Sequence, residues 1–216
     1  MKNQELALSL WSLAYKDYIA SRVLLNKNYP IQGLTLASSS IEKYFKVILA
    51  LHGNTKKNMG VHMDNWGKLK GLLTECYTDI SIHLDNRFLE LLGKIYQARY
   101  YDNLASPLMI SFFINQVICE MDFTVNFMEQ IMTMTDGNGN IVKSAYKRNV
   151  EKKNADLLDN NYLFLNISKK EFMEQPDNGY GVFIDNINGF KEFEVIGKDI
   201  KNQYNGFIND ITLNFK

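Results

Sequence analysis

Residues 30–52 read PIQGLTLASSSIEKYFKVILALH, and this stretch decides the fold. Pro30 can open a helix, because its ring fixes φ and the N–H it lacks is one the first turn leaves unused. From there Leu34, Ala37, Ile41, Tyr44, Ile48 and Leu51 recur at steps of three and four, the signature of one helical face. Ser38, Phe45 and Leu49 form a second stripe beside the first, with Glu42 between them. A helix that is apolar on two sides is packed on two sides. Residues 30–52 are therefore expected to be the central helix of a bundle, capped at its C-terminus by Gly53.

The flanking segments supply its neighbours. Over residues 4–27, Leu6, Leu10, Leu13, Asp17, Ala20 and Leu24 share one stripe, which is expected to face inward. Asn28-Tyr29-Pro30 ends that helix. A polar loop (54–64), a short helix (about 65–78) and a longer helix (about 85–101) follow. The longer one carries Phe88, Leu92, Ile95 and Arg99 on one stripe, with Asp85 as N-cap. Ser106-Pro107 is expected to open a last long helix over 107–134, rich in Phe and Met. Short connections between long helices favour antiparallel neighbours. The expected class is mainly α: an antiparallel up-and-down bundle of four to five helices over residues 1–135.

The texture changes after Asp136-Gly137-Asn138-Gly139-Asn140, a turn cluster. Residues 136–160 read as a linker or solvated helix. Residues 161–216 read as a small α+β C-terminal unit. Tyr162–Leu165 is a short apolar run, and Gly181–Ile184 and Phe193–Ile196 flank Asn188-Gly189 as a hairpin. Ile200, Tyr204, Phe207, Ile208 and Ile211 fall on a helical stripe.

Composition bounds the function. The 216 residues, 46% hydrophobic, suffice for one core and a small appended unit. Twenty-four basic residues balance 24 acidic ones, so no global field draws the chain to nucleic acid or an anionic membrane, and any such contact needs a local patch. No segment reads as a signal or membrane span, and the two distant cysteines, Cys76 and Cys119, read as reduced thiols. The expectation is a cytoplasmic protein that does not engage a membrane. His52, His62 and His83 form no metal-type spacing, so no metal or other cofactor is expected.

The residues able to carry chemistry gather on the second and fourth helices. Glu42 lies on an inward stripe, one turn from Lys46, and a buried charge requires a partner. Asp17 stands mid-stripe on the first helix and Arg99 ends the stripe of the fourth. Asp17, Glu42, Lys43, Lys46, Arg99 and Tyr100 are the expected binding set, converging in one interior or interface cluster.

With these residues on the page, residues 5–104 resemble a HEPN domain (higher eukaryotes and prokaryotes nucleotide-binding). The resemblance lies in Asp17, Ala20, Leu24-Leu25, Tyr29 and Ala37, then Ile41-Glu42-Lys43-Tyr44 with Lys46. It continues through Gly60-Val61-His62, Leu69, Tyr96 and Arg99-Tyr100. It implies a four- or five-helix bundle, often a homodimer. Some members are metal-independent RNases of toxin–antitoxin, phage-defence or CRISPR systems. Others partner minimal nucleotidyltransferases or bind nucleotides. The nucleases carry Arg, four to six residues, then His. Here Arg99 is followed by Tyr100-Tyr101-Asp102-Asn103-Leu104-Ala105-Ser106, with no histidine, and Arg22, Arg87 and Arg148 lack one as well. Proton transfer from a 2′-hydroxyl suits a group titrating near neutrality. The expectation is thus a binding module for a nucleotide, RNA or a protein partner, not a nuclease. The alternatives are a divergent RNase using Arg99 with His62, Asp102 or a tyrosine, and a structural module whose C-terminal unit docks a partner.

Overall fold

A computed structural model describes residues 2–53, 56–100, 104, 107–136, 138–177, 179–185 and 189–195. The chain is mainly helical. The long helices are α1 (Lys2–Asn26), α2 (Pro30–Leu51), α6 (Asn86–Ala98) and α7 (Ile114–Ile131), with α4 (Trp66–Cys76) beside them. Shorter helices are α3 (Lys56–Met59), α5 (Ile80–His83), α8 (Ala145–Glu151), α9 (Ala155–Leu158) and α10 (Lys169–Met173). Strands β1 (Leu108–Phe113), β2 (Gly179–Asp185) and β3 (Gly189–Val195) form one antiparallel sheet in that order.

The helix α2 is central, packing against α1, α4, α6 and α7. Both of its expected stripes are inside: Leu34, Ala37, Ile41, Tyr44 and Ile48 are buried, and so are Ser38, Phe45 and Leu49. Side-chain bonds fix the directions. Arg22 meets Asp122 and Trp11 meets Glu129, so α1 runs antiparallel to α7. Ser38 donates to the Leu92 carbonyl and Arg99 to that of Thr35, so α2 runs antiparallel to α6. Asp85 caps α6 by accepting from Phe88 N at 2.8 Å, and Gly53 ends the turn after α2 at φ +71°.

The structure corrects four expectations. On α1 the buried face is Ala7, Trp11, Ala14, Tyr18 and Leu25, whereas Leu6 and Leu13 of the expected inward stripe are 44% and 43% exposed. The bundle takes the stripe of Ala, Tyr and Trp, on which Trp11 and Tyr18 donate hydrogen bonds to Glu129 and Asp122 of α7. Residues 107–134 are not one helix: 108–113 form β1, and α7 begins at Ile114. Pro107 precedes a strand as readily as it opens a helix. Six apolar residues satisfy either period, and pairing with β2 decides, Ile110 opposite Val182 and Phe112 opposite Tyr180.

The segment 136–160, expected as a linker or a solvated helix, holds α8 and α9 and is partly packed inward rather than wholly solvated. Tyr146 and Leu157 are buried, and one core cluster runs from Ala7 to Ile184. The short apolar run Tyr162–Leu165 does not extend the β part of the C-terminal unit. Tyr162–Phe164 is a 3-10 turn, where Asn161 accepts from Leu163 N at 3.1 Å. The β2–β3 hairpin is present, with Gly189 opposite Asp185 at φ +71°. Tyr101, Asp102, Ser106, Asn188 and the 200–211 stripe lie outside the described residues. Among the described residues no helix is long and apolar enough to cross a membrane.

Candidate functional site

On α2, Glu42 and Lys46 stand one helical turn apart and pair at 2.7 Å. The turn before α4 brings the next component. Val61 and Met63 point inward and are buried, which turns His62 between them outward, its side chain 48% exposed. His62 Nδ1 lies 3.0 Å from Glu42 Oε1, and Met63 N donates to Glu42 Oε2 at 2.9 Å. One carboxylate therefore ties the turn to α2. Gly93 on α6 makes room for the turn, since a Cβ there would stand 2.9 Å from the Met63 carbonyl oxygen.

The end of α6 completes the site. The His62 ring stacks on Tyr96 with centroids 5.5 Å apart and planes 21° apart. The Arg99 guanidinium lies 5.2 Å from the same Tyr96 centroid and donates to the Thr35 carbonyl. Arg99 Nε is buried and has no hydrogen-bond partner among the described residues. Tyr100, in ring contact with Tyr96 at 5.9 Å, is 53% exposed. Burial pushes the Glu42 carboxyl up, but Lys46, His62 and the Met63 N–H outweigh it and hold the group below its ordinary value. Burial, reinforced by the Glu42 charge, pushes the Tyr96 phenol up to about 12. At neutral pH the site is thus an ionised carboxylate beside a neutral phenol.

The expected six-residue cluster divides. Glu42, Lys46, Arg99 and Tyr100 belong to this assembly, joined through His62 and Tyr96. Asp17 and Lys43 form a separate ion pair, with Lys43 also donating to Ser39 Oγ at 2.6 Å. The cause is helical winding, because consecutive residues such as Glu42 and Lys43 point about 100° apart. Tyr96 was part of the family resemblance but not of the expected binding set. Its position one turn before Arg99 was the available signal.

A second polar cluster escaped sequence reasoning. Arg22 and Asp122 are both fully buried and paired. Tyr18 donates to Asp122 at 2.8 Å, and Arg22 also donates to the carbonyls of Asp156 and Asp159. Burial opposes the Arg22 charge, but Asp122 outweighs it and holds the guanidinium protonated. Nearby, Trp11 and Tyr44 donate to Glu129 Oε1 at 2.8 and 2.9 Å. These groups are sealed from solvent, so their role is architectural.

No group of three His, Cys, Asp or Glu residues able to hold a metal occurs among the described residues. No family model, curated protein or solved structure matches the chain.

Proposed function

We propose that this chain is a HEPN-like module that binds RNA or a nucleotide at the Glu42–Lys46–His62–Tyr96–Arg99–Tyr100 site, of the kind that serves toxin–antitoxin or defence systems. A nucleotidyltransferase-type protein partner is the rival occupant. The single observation behind the reading is the arrangement around Tyr96: His62 and Arg99 each lie on its ring while Tyr100 stays exposed beside it. Unpaired bases are recognised by stacking on aromatic and guanidinium planes, and Arg suits phosphate through its planar fork. Lys46 adds a cation in a chain whose overall charge is zero.

A second reading, a divergent metal-independent RNase, draws support from the Glu42–His62 contact. A carboxylate that accepts from Nδ1–H leaves Nε2 with a lone pair, the arrangement of an oriented general base. Such a base would take the 2′-hydroxyl proton. The 2′-oxygen would attack phosphorus, the bond to the 5′-oxygen would break, and water would protonate the leaving oxygen.

One experiment addresses both. Labelled single-stranded RNA is titrated with protein in the presence of chelator, following anisotropy and then strand integrity. Binding is expected to weaken roughly tenfold or more in Tyr100→Ala and in Arg99→Ala, since stacking a base on an aromatic ring is worth about 1–3 kcal/mol. Equal affinity of both variants and the parent would overturn the binding reading. Cleavage by the parent that vanishes in His62→Ala would promote the enzyme reading, and intact RNA at high protein concentration would end it.

A further inference from the structure

Gln116, Glu120, Phe123 and Phe127 step by four, three and four along α7, so they share one face of it. Lys169, at the start of α10, sets its Nζ 2.6 Å from Glu120 Oε1 and 4.6 Å from the Phe123 ring centroid. His83, at the end of α5, lies 4.6 Å from the Phe127 ring. The two phenyl rings are 6.5 Å apart and within 4° of parallel. Glu120 and Gln116 are only 4% and 6% exposed. Yet Glu120 Oε2 and Gln116 Oε1 have no hydrogen-bond partner among the described residues. Burial pushes the Glu120 carboxyl above its ordinary value, Lys169 opposes the rise, and the Asp85 charge adds to it. One ammonium thus under-compensates this carboxylate.

We infer that this face of α7 is a binding site for a guanidinium group, the arginine side chain of a partner peptide, and that Lys169 is its resident substitute. The unmet groups define the chemistry. A carboxylate oxygen and an amide oxygen stand one helical turn apart beside an aromatic face. The guanidinium carries five N–H donors in a flat fork and lies readily on aromatic rings. An ammonium is a point charge, and that of Lys169 meets Oε1 alone. A fork donates to both carboxylate oxygens and has further N–H groups for the Gln116 carbonyl. Glu120 repels an anion, and an apolar ligand would leave both acceptors buried and unmet. The Lys169 side chain is 35% exposed, so Glu120 lies one side chain below solvent, and a displaced ammonium passes into water. Half-buried Phe127 continues the aromatic surface by one turn, which suits the residue next to an arginine in a peptide. None of these residues belongs to the Tyr96 site, so the inference stands apart from the RNA reading.

Calorimetric titration of the full chain with acetyl-Leu-Arg-Leu-amide tests it, beside the same peptide carrying lysine or neutral citrulline in place of arginine. The parent is expected to bind the arginine peptide at least about tenfold more tightly than either, because charged, bidentate hydrogen bonds are the strong ones. Lys169→Arg supplies both acceptors with the chain's own fork. It is expected to abolish peptide binding while raising the thermal unfolding midpoint, so that misfolding does not explain the loss. Lys169→Ala removes the resident cation and should bind the arginine peptide more tightly than the parent. The peptide should then raise the unfolding midpoint of this variant by more than that of the parent. A parent that binds the arginine and citrulline peptides alike, or neither at millimolar concentration, overturns the inference. So does a Lys169→Arg variant that binds the arginine peptide as the parent does.

Discussion

The Arg22–Asp122 cluster and the Glu42–His62 cluster are both ionic, both centred on helices of the same bundle, and opposite in how they are closed. Arg22 has its donors taken by a carboxylate and two backbone carbonyls and is fully buried. His62 has one nitrogen engaged and half its side chain in water. A saturated buried pair can only hold elements together, since breaking it leaves a charge without solvent. A partly saturated pair at the surface can exchange partners at little cost. The first therefore joins α1, α7 and the 155–159 segment, and the second is where a ligand can enter.

The largest effect expected from this contrast is on stability. Arg22→Ala strands Asp122 beside Tyr18 and leaves the Asp156 and Asp159 carbonyls without their donor, at a cost of about 3–5 kcal/mol. Urea unfolding followed by fluorescence reads that loss directly. The paired change Arg22→Met with Asp122→Leu removes both charges and should cost clearly less than the single substitution. A single substitution as mild as a surface change would mean that the buried pair contributes nothing to joining these elements.

A smaller effect, expected to touch both stability and binding, comes from Gly93. A methyl group there meets the Met63 carbonyl at 2.9 Å and Trp66 Cδ1 at 3.2 Å, and Met63 is backbone that must move. Overpacking of this kind costs about 1–3 kcal/mol. Because Met63 follows His62, Gly93→Ala should also shift the His62 ring from Tyr96 and weaken RNA binding more than Gly67→Ala, where a methyl group meets open space. Equal behaviour of the two variants would show that the turn is not held by its fit to α6.

What the sequence showed and hid follows the same division between local and distant partners. The α2 stripes, the Glu42–Lys46 pair and the Asp85 cap were legible because each depends on residues within about one turn. The β2–β3 hairpin was legible because its two runs flank a turn signal. On α1, two stripes compete, one of leucines and one of Ala, Trp and Tyr. Hydrophobicity favours the first, while the partners Glu129 and Asp122 select the second. Arg22 resembles a surface arginine because its partner lies 100 residues later. Strand β1 could not be told from a helical start without β2, some 70 residues away. For the candidate site, Glu42 and Arg99 were marked by their stripes and Lys46 by its one-turn spacing from Glu42. The convergence with Asp17 and Lys43 was not secured, since periodicity gives a direction and not a neighbour.

The smallest expected effect is at Glu42, and its sign depends on pH. The carboxyl is held below its ordinary value by Lys46, His62 and the Met63 N–H acting against burial. A depressed carboxyl contributes stability that is present above its unfolded value and is lost as pH falls through the folded one. Glu42→Gln keeps an acceptor for Met63 N but removes the charge, so the cost at neutral pH should be about 1 kcal/mol, the net worth of a typical hydrogen bond and well below the cost of Arg22→Ala. The gap between parent and variant in urea midpoint should then narrow as the solution is acidified below the ordinary carboxylate range of about 4. A gap that stays constant into acid would assign the effect to packing and would remove the charge on Glu42 as the link between α2 and the His62 turn.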